Sequence, residues 1–178
     1  MLQQTADALR ALYNDAGESP QRSRHLANGG LVLRDLFNLT GERATLAEAI
    51  TVLRDAETAV DDDDRAAVSM NLALALQDWA EQTGEQPALD EAIDRMAGML
   101  AAMDEQDPDR PLWASNISAM FQDRYEFTSD PGALRDARAW AEAAVSGTER
   151  DDPALPGRLT HLGLALRMAY EATGGLDS

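Results

Sequence analysis

The feature that most constrains the fold is a block of sequence that repeats with a period near 45 residues. Its clearest marks are three asparagines and one histidine, separated by 43, 45 and 45 positions: Asn28, Asn71, Asn116 and His161. Twelve residues after each mark comes a threonine followed by a small residue: Thr40-Gly41, Thr83-Gly84, Thr128-Ser129 and Thr173-Gly174. A fixed period of this size indicates an array in which each unit buries its apolar face by stacking on a neighbour. Arrays of this kind typically bind partners.

Composition predicts that the array is all-α. Aromatic residues make up only 5% of the 178 residues, and much of the 44% hydrophobic content is Ala, Leu and Met, which favour helices over strands. The chain has no cysteine, which excludes disulfides, thiol catalysis and thiolate metal sites. It shows no apolar run long enough to cross a membrane and no secretory signal, so we expect a cytoplasmic location.

The charge balance bears on the class of partner. The formal net charge is -17, which repels phosphate backbones and argues against nucleic acid as a partner. The acidity either keeps an elongated surface soluble or attracts a basic protein or peptide. The run Asp61–Asp64 has the carboxylates that Ca²⁺ and Mg²⁺ prefer, but it lacks the spacing of a metal loop. It therefore favours a solvated turn just before a helix, and we expect no metal or other cofactor.

Each unit is predicted to contain two helices joined by a short turn. The Thr-Gly pair ends the first helix, since glycine accepts the left-handed conformation that closes a terminus. In one unit Thr45-Leu46-Ala47-Glu48 has the pattern of a capping box, which predicts that the second helix starts there. In another, Ser129-Asp130-Pro131 places a capping side chain before a proline at the first helical position.

Apolar residues at spacings of three and four predict the buried stripe of the second helices: Leu46, Ala49, Ile50, Leu53 and Ala56, then Leu89, Ala92, Ile93, Met96 and Leu100. Small residues recur at matched places on both helices, namely Gly30, Ala73, Ser118 and Gly163 on the first and Ala49, Ala92 and Ala137 on the second. They predict a close approach of the two antiparallel helices.

These patterns predict one repeat domain over residues 1–178 with about eight helices. Residues 1–21 form a partial repeat, residues 22–64, 65–109 and 110–154 form full repeats, and residues 155–178 form a second partial repeat. Thr5 to Tyr13 resemble a second helix without its first. The chain is then either a compact array with capping helices or, as we expect, a segment of a longer protein.

The string His161-Leu162-Gly163-Leu164-Ala165-Leu166, the Thr-Gly turn and Leu89-Asp90-Glu91-Ala92-Ile93 together resemble the tetratricopeptide repeat (TPR). That family has a period of about 34 residues, so this chain resembles a variant with longer helices. Such long arrays are similar to those of actinobacterial proteins that carry a caspase-like CHAT peptidase domain. The resemblance covers residues 22 to 178.

The resemblance implies a right-handed α-solenoid of helix pairs, whose first helices line a concave groove that binds a peptide. Carried over position by position, the groove includes Arg24, Asn28, Leu31, Arg34 and Asp35, then Asn71, Leu74, Gln77 and Asp78, then Asn116, Gln122 and Asp123. The asparagines can clamp a peptide backbone, because an amide offers both donors and an acceptor. The alternative is that they bond a neighbouring helix and only set the repeat geometry.

Other chemistry-bearing residues favour structural roles. His161, which replaces the asparagine, and His25 are expected to form interhelical hydrogen bonds rather than a general base or metal site. Trp79, Trp113 and Trp140 could line a ligand cage, but isolated tryptophans in helical repeats more often belong to the core.

The function expected from the sequence is a scaffold that binds a protein or peptide, and the net charge of -17 favours a basic one. We expect no enzyme activity, because the chain has no phosphate loop, nucleophile elbow or zinc-binding histidine pair. Two alternatives stay open. One is the sensing or autoinhibitory arm of a larger peptidase or signalling protein, and the other is a module that forms homo-oligomers through its end helices.

Overall fold

The computed structural model describes the backbone of residues 22–59 and 62–172 together with Ala11, and the side chains of the same residues except 22, 23 and 62–64. The described residues form helices joined by turns and contain no strand, which confirms the all-α prediction. The predicted helix at Thr5 to Tyr13 and the fourth turn at Thr173-Gly174 lie outside them. The described helices are α1 (Arg22–Thr40), α2 (Arg43–Ala59), α3 (Asp62–Thr83), α4 (Gln86–Ala102), α5 (Arg110–Thr128), α6 (Pro131–Ser146) and α7 (Leu155–Ala172).

The chain divides into two compact units, Met1–Arg95 and Met96–Ser178. In the first unit α1 and α2 pair, α3 packs on α2, and α1 also touches α3. The second unit has the same order, with α5 and α6 paired, α7 packed on α6, and α5 touching α7. Within each unit, consecutive helices therefore pack on one another and a first helix lies beside the first helix of the next repeat.

The first helix of three repeats ends in one turn, built as the threonine pair predicts. The threonine hydroxyl donates to the carbonyl four residues earlier and accepts from the N–H two residues later. The residue between them is left-handed and donates its own N–H to the carbonyl four residues before it, which closes the terminus. The φ values are 70° at Gly41, 75° at Gly84 and 54° at Ser129.

The starts of the second helices confirm one prediction and correct another. Asp130 accepts a hydrogen bond from the Gly132 N–H at 2.9 Å, and Pro131 follows it at the first helical position, as predicted. The capping box predicted at Thr45 is wrong, because α2 already begins at Arg43 and Thr45 is buried within its first turn. The turn at Thr40-Gly41 sets the start of α2, since the closing geometry at the end of α1 leads directly into it.

The predicted close approach of paired helices is confirmed in both units. A Cβ atom built on Gly30 of α1 would lie 2.4 Å from Cγ of Leu53 on α2, so the leucine occupies the space that a side chain would need. At the matched place on α5, the Ser118 hydroxyl is fully buried and donates to the Ala137 carbonyl of α6 at 2.8 Å. Small residues at these positions allow backbone and side chain of the two helices to meet directly.

The predicted stripes of the second helices are buried with one change. All five residues of the α4 stripe are buried, and so are Leu46, Ala49, Leu53 and Ala56 on α2. Ile50 is only half-buried, and Val52, which the stripe did not include, is buried instead. The α2 helix therefore turns a slightly different face to its neighbours than the spacing predicts.

A cluster of charged side chains ties three helices of the first unit together. The Arg95 guanidinium donates to Glu57 Oε1 at 2.6 Å, to Glu91 Oε1 at 3.0 Å and to the Ser69 hydroxyl at 3.2 Å. Burial lowers the pKa of Arg95, but the hydrogen bonds and charges of Glu57 and Glu91 outweigh it, so that the pKa is raised above its ordinary value. The guanidinium thus links α2, α3 and α4 as a permanent cation.

Candidate binding surface

The first unit presents the predicted binding residues on the adjacent faces of α1 and α3. Asn28 and Leu31 on α1 lie three residues apart, and Asn71 and Leu74 on α3 repeat this arrangement 43 residues later. Residues spaced by three or four lie on one face of a helix, so each pair forms a short strip. Asn28 is exposed, whereas the other three side chains are half-buried. We call these four residues the α1–α3 strip.

An ion pair joins the two helices beside this strip. The Arg34 guanidinium on α1 donates to the Asp78 carboxylate on α3 at 2.6 Å, and the two side chains are 21% and 17% exposed. This contact holds the two first helices side by side. Arg34 is therefore committed to Asp78 within the unit and presents only part of its donors to a ligand.

The asparagine side chains of the strip form no hydrogen bond with another described residue. No hydrogen bond within residues 22–59 and 62–172 involves the side chain of Asn28 or Asn71, and neither side chain has a buried polar atom left unpaired. The same holds for Asn116 on α5. The amides are thus open to solvent, and the alternative that these asparagines bond a neighbouring helix does not describe their geometry.

The second unit places its predicted residues differently. Asn116 is half-buried on α5, and the Ser115 hydroxyl and His161 Nδ1 lie 2.9 Å apart between α5 and α7. The interhelical hydrogen bond predicted for His161 is therefore confirmed. Gln122 is only 6% exposed, and its amide nitrogen donates to the Ser118 hydroxyl at 3.3 Å. It is therefore buried and bonded within α5 rather than lying on an open surface.

The remaining candidate residues border these strips. Arg24 and Asp35 are exposed on α1, and Gln77 on α3 and Asp123 on α5 are half-buried. His25 does not form the expected interhelical hydrogen bond with another described residue. Its Nδ1 atom is buried without a hydrogen-bond partner among the described residues.

The three tryptophans are each half-buried, and two of them line clefts. Trp140 contributes to a cleft of about 600 Å³ in the second unit, with Pro108, Pro111 and acidic residues of the turns around it. Trp79 contributes to a cleft of about 320 Å³ in the first unit, beside Ile50 and Pro87. The sequence analysis predicts neither cleft, since each forms between segments that are distant in the sequence.

The described residues contain neither a metal-binding cluster nor a membrane-spanning helix. No group of three or more His, Asp or Glu side chains among them could hold a metal ion. Asp61 lies outside these residues, and the side chains of Asp62 to Asp64 are not described. No described helix is long and apolar enough to cross a membrane.

No protein-family model matches the chain, and no curated protein matches it.

Proposed function

We propose that this chain is a protein-interaction module of the TPR-like type, and that its α1–α3 strip holds an extended peptide segment of a partner. The observation that carries the proposal is the pair of asparagine amides at matched positions on two adjacent helices, neither of which is hydrogen-bonded within the part of the chain that the structure describes. A side-chain amide donates two hydrogen bonds and accepts two, so it can pair with both the C=O and the N–H of a peptide backbone.

The neighbouring residues support a peptide rather than a small polar ligand. Leu31 and Leu74 lie next to the two amides and are half-buried, so each offers apolar surface to a side chain of the ligand. The Arg34–Asp78 ion pair keeps the two helices in place before the ligand arrives, which lowers the ordering cost of binding.

Charge sets the expected composition of the ligand. With a net charge of -17, the chain attracts a segment that carries Lys or Arg and repels an acidic one. The negative electrostatic potential of the whole chain would attract the basic residues of the ligand. The asparagines would bind the backbone of the ligand.

The test selects ligands first and then removes the amides. Peptides of about 12 residues, which exceed the roughly 6 or 7 residues that an extended chain needs to cross two helices, are selected from a random display library on the wild-type chain. Their affinity is then measured by fluorescence anisotropy for the wild type and for an Asn28→Ala, Asn71→Ala double variant. We expect the double variant to bind at least about tenfold more weakly, since two hydrogen bonds of about 1 kcal/mol each are lost.

The control removes the same chemical group from a different face. Gln86 is exposed at the start of α4, so Gln86→Ala deletes an amide without touching the strip. It should leave the affinity unchanged. Equal affinity of the wild type and the double variant, with helical content intact, would contradict the proposal.

A further inference from the structure

The larger cleft of the second unit is lined by an indole ring and by carboxylates. It has a volume of about 600 Å³ and lies between the turn before α5, the start of α5 and the last two turns of α6. Trp140, Pro111 and Ala114 supply its apolar lining. Glu105 and Glu149 supply charge from the turns before α5 and after α6. All of its lining residues belong to the second unit, so the cleft is a feature of one compact part of the chain.

A smaller cleft continues the larger one toward α7. It has a volume of about 370 Å³, and its lining includes residues from the turns before α5 and before α7. The residues that line both clefts are Pro108, Pro111, Gly147 and Glu149. Because of these shared residues the two clefts form one continuous recess, which we call the Trp140 recess.

Negative charge prevails in the Trp140 recess. Five carboxylates and two guanidinium groups line it. Glu105 and Glu149 are exposed, and neither side chain forms a hydrogen bond or an ion pair with another described residue. Asp107 Oδ1 accepts a hydrogen bond from the Asp109 N–H at 2.8 Å, which leaves its charge without a balancing cation in that contact.

The two arginines of the recess are bonded to other groups of the chain. The Arg110 guanidinium donates to the Leu100 carbonyl at 2.7 Å. The Arg158 guanidinium donates to the Thr148 hydroxyl and, at 3.4 Å, to the Asp152 carboxylate. Neither arginine pairs with the carboxylates beside the indole ring, so these carboxylates can bind a cation from outside the chain.

We propose that the Trp140 recess binds an arginine side chain of a partner protein. A guanidinium group is planar, so it can stack on the indole ring while its N–H groups donate to Glu105 and Glu149. Ion pairs beside a half-buried ring are screened less by salt than pairs on an open surface. A lysine ammonium group is more strongly hydrated and cannot stack, which favours arginine over lysine.

This site is separate from the α1–α3 strip. The recess lies in the second unit and the strip lies in the first. The recess recognises one charged side chain, whereas the strip is proposed to bind a peptide backbone. The inference therefore does not rest on the function proposed above.

Nuclear magnetic resonance tests the site in the full-length chain with acetyl-Gly-Arg-Gly-amide as the probe. The same peptide with citrulline, which has nearly the shape of arginine but no charge, is the matched neutral probe. The chain has three tryptophans, and a Trp140→Phe variant identifies the indole N–H signal of Trp140. We expect the arginine peptide to shift this signal with a Kd of about 1–10 mM, since one stacked cation and two ion pairs contribute modestly. The citrulline peptide should bind at least about fivefold more weakly.

Neutral variants of the lining separate the recess from the charge of the whole chain. Glu105→Gln, Glu149→Gln keeps the size of both side chains, and we expect it to weaken the arginine peptide about fivefold. Glu126→Gln, Asp136→Asn is the matched control, because it removes the same charge from exposed positions of α5 and α6 outside the recess. It should leave the Kd within about twofold of the wild type.

Four results would overturn the proposal. A Trp140 signal that stays in place at about ten times the expected Kd would mean that the recess does not bind the side chain. Equal binding of the citrulline peptide would mean that charge is not recognised, and tighter binding of a lysine peptide would contradict stacking of a guanidinium. Equal losses in the two neutral variants would mean that only the charge of the whole chain acts. The Asn28→Ala, Asn71→Ala variant should respond like the wild type, so that failure of this site and failure of the α1–α3 strip are distinguishable.

Discussion

Single residues with a left-handed backbone determine where the first helices end. Gly41 and Gly84 occupy this conformation at little cost, whereas Ser129 occupies it with a side chain. For a residue other than glycine the left-handed region costs about 1 kcal/mol or more. The threonine before it compensates, because its hydroxyl pairs both with the helix and with the following turn.

Replacing Gly84 and Gly98 with alanine should change the free energy of unfolding in opposite directions. Gly84→Ala forces a side chain into φ of 75°, so the free energy of unfolding should fall by about 1 kcal/mol. Gly98 lies inside α4, and a Cβ atom there meets nothing within 4 Å. Gly98→Ala should therefore raise the free energy of unfolding by about 0.5–1 kcal/mol. Urea unfolding followed by circular dichroism measures both, and a loss of stability at Gly98 would contradict this account.

At the scale of helices, the sequence predicts those features that are local and that recur in each repeat. The threonine turn and the small residues at the helix contacts were found because they recur in each repeat. The start of α2 was misplaced at Thr45, since a capping pattern in the sequence does not reveal that the preceding turn already starts the helix. The Arg95–Glu57 and Arg34–Asp78 ion pairs were missed, because their partners lie 38 and 44 residues apart and no local pattern links them.

The close contact between α1 and α2 at Gly30 predicts opposite effects on the free energy of unfolding for alanine at Gly30 and at Gly163. Gly30→Ala should lower the free energy of unfolding by about 1–3 kcal/mol, because Leu53 is fully buried and cannot move away from the new methyl group. Gly163→Ala, at the matched position of α7, should raise it by up to about 1 kcal/mol, since it meets open space and improves helix propensity. Both are measured by urea unfolding at low protein concentration, and similar effects of the two changes would refute the contact.

The Arg95 cluster should contribute more to stability than an exposed ion pair. Arg95→Ala removes the ion pair of Glu57 and leaves Glu91 paired with Arg54 alone, and we expect a loss of about 2 kcal/mol in the free energy of unfolding. Arg138→Ala, which breaks an exposed pair with Glu142 on α6, should cost less than about 0.5 kcal/mol. Because the folded-state pKa of Arg95 is raised, its contribution is present below the ordinary arginine pKa and is lost only above it. Unfolding at neutral pH compares the two variants, and equal losses would show that Arg95 adds nothing beyond a surface pair.

At the scale of the molecule, the repeat predicts which positions are equivalent but not which of them stay open. It placed Asn28, Asn71 and Asn116 in one register, and only the contacts of the described helices reveal that their amides form no hydrogen bond there. It placed Gln122 in the same set, although this side chain is buried in the folded chain. Equivalence is a property of sequence, whereas exposure depends on neighbours that differ from repeat to repeat.

The net charge predicts how ligand binding depends on salt. A peptide ligand that carries Lys or Arg should bind about tenfold more weakly when the ionic strength rises from about 0.05 M to about 0.5 M, because salt screens attraction to a chain of charge -17. The Asn28→Ala, Asn71→Ala double variant should show the same fractional loss from a lower starting affinity, since it keeps every charge. Fluorescence anisotropy over a salt series measures both. An affinity that does not change with salt would show that the acidic surface serves solubility rather than recognition. A smaller salt effect in the double variant would mean that the amides and the charges do not contribute independently to binding.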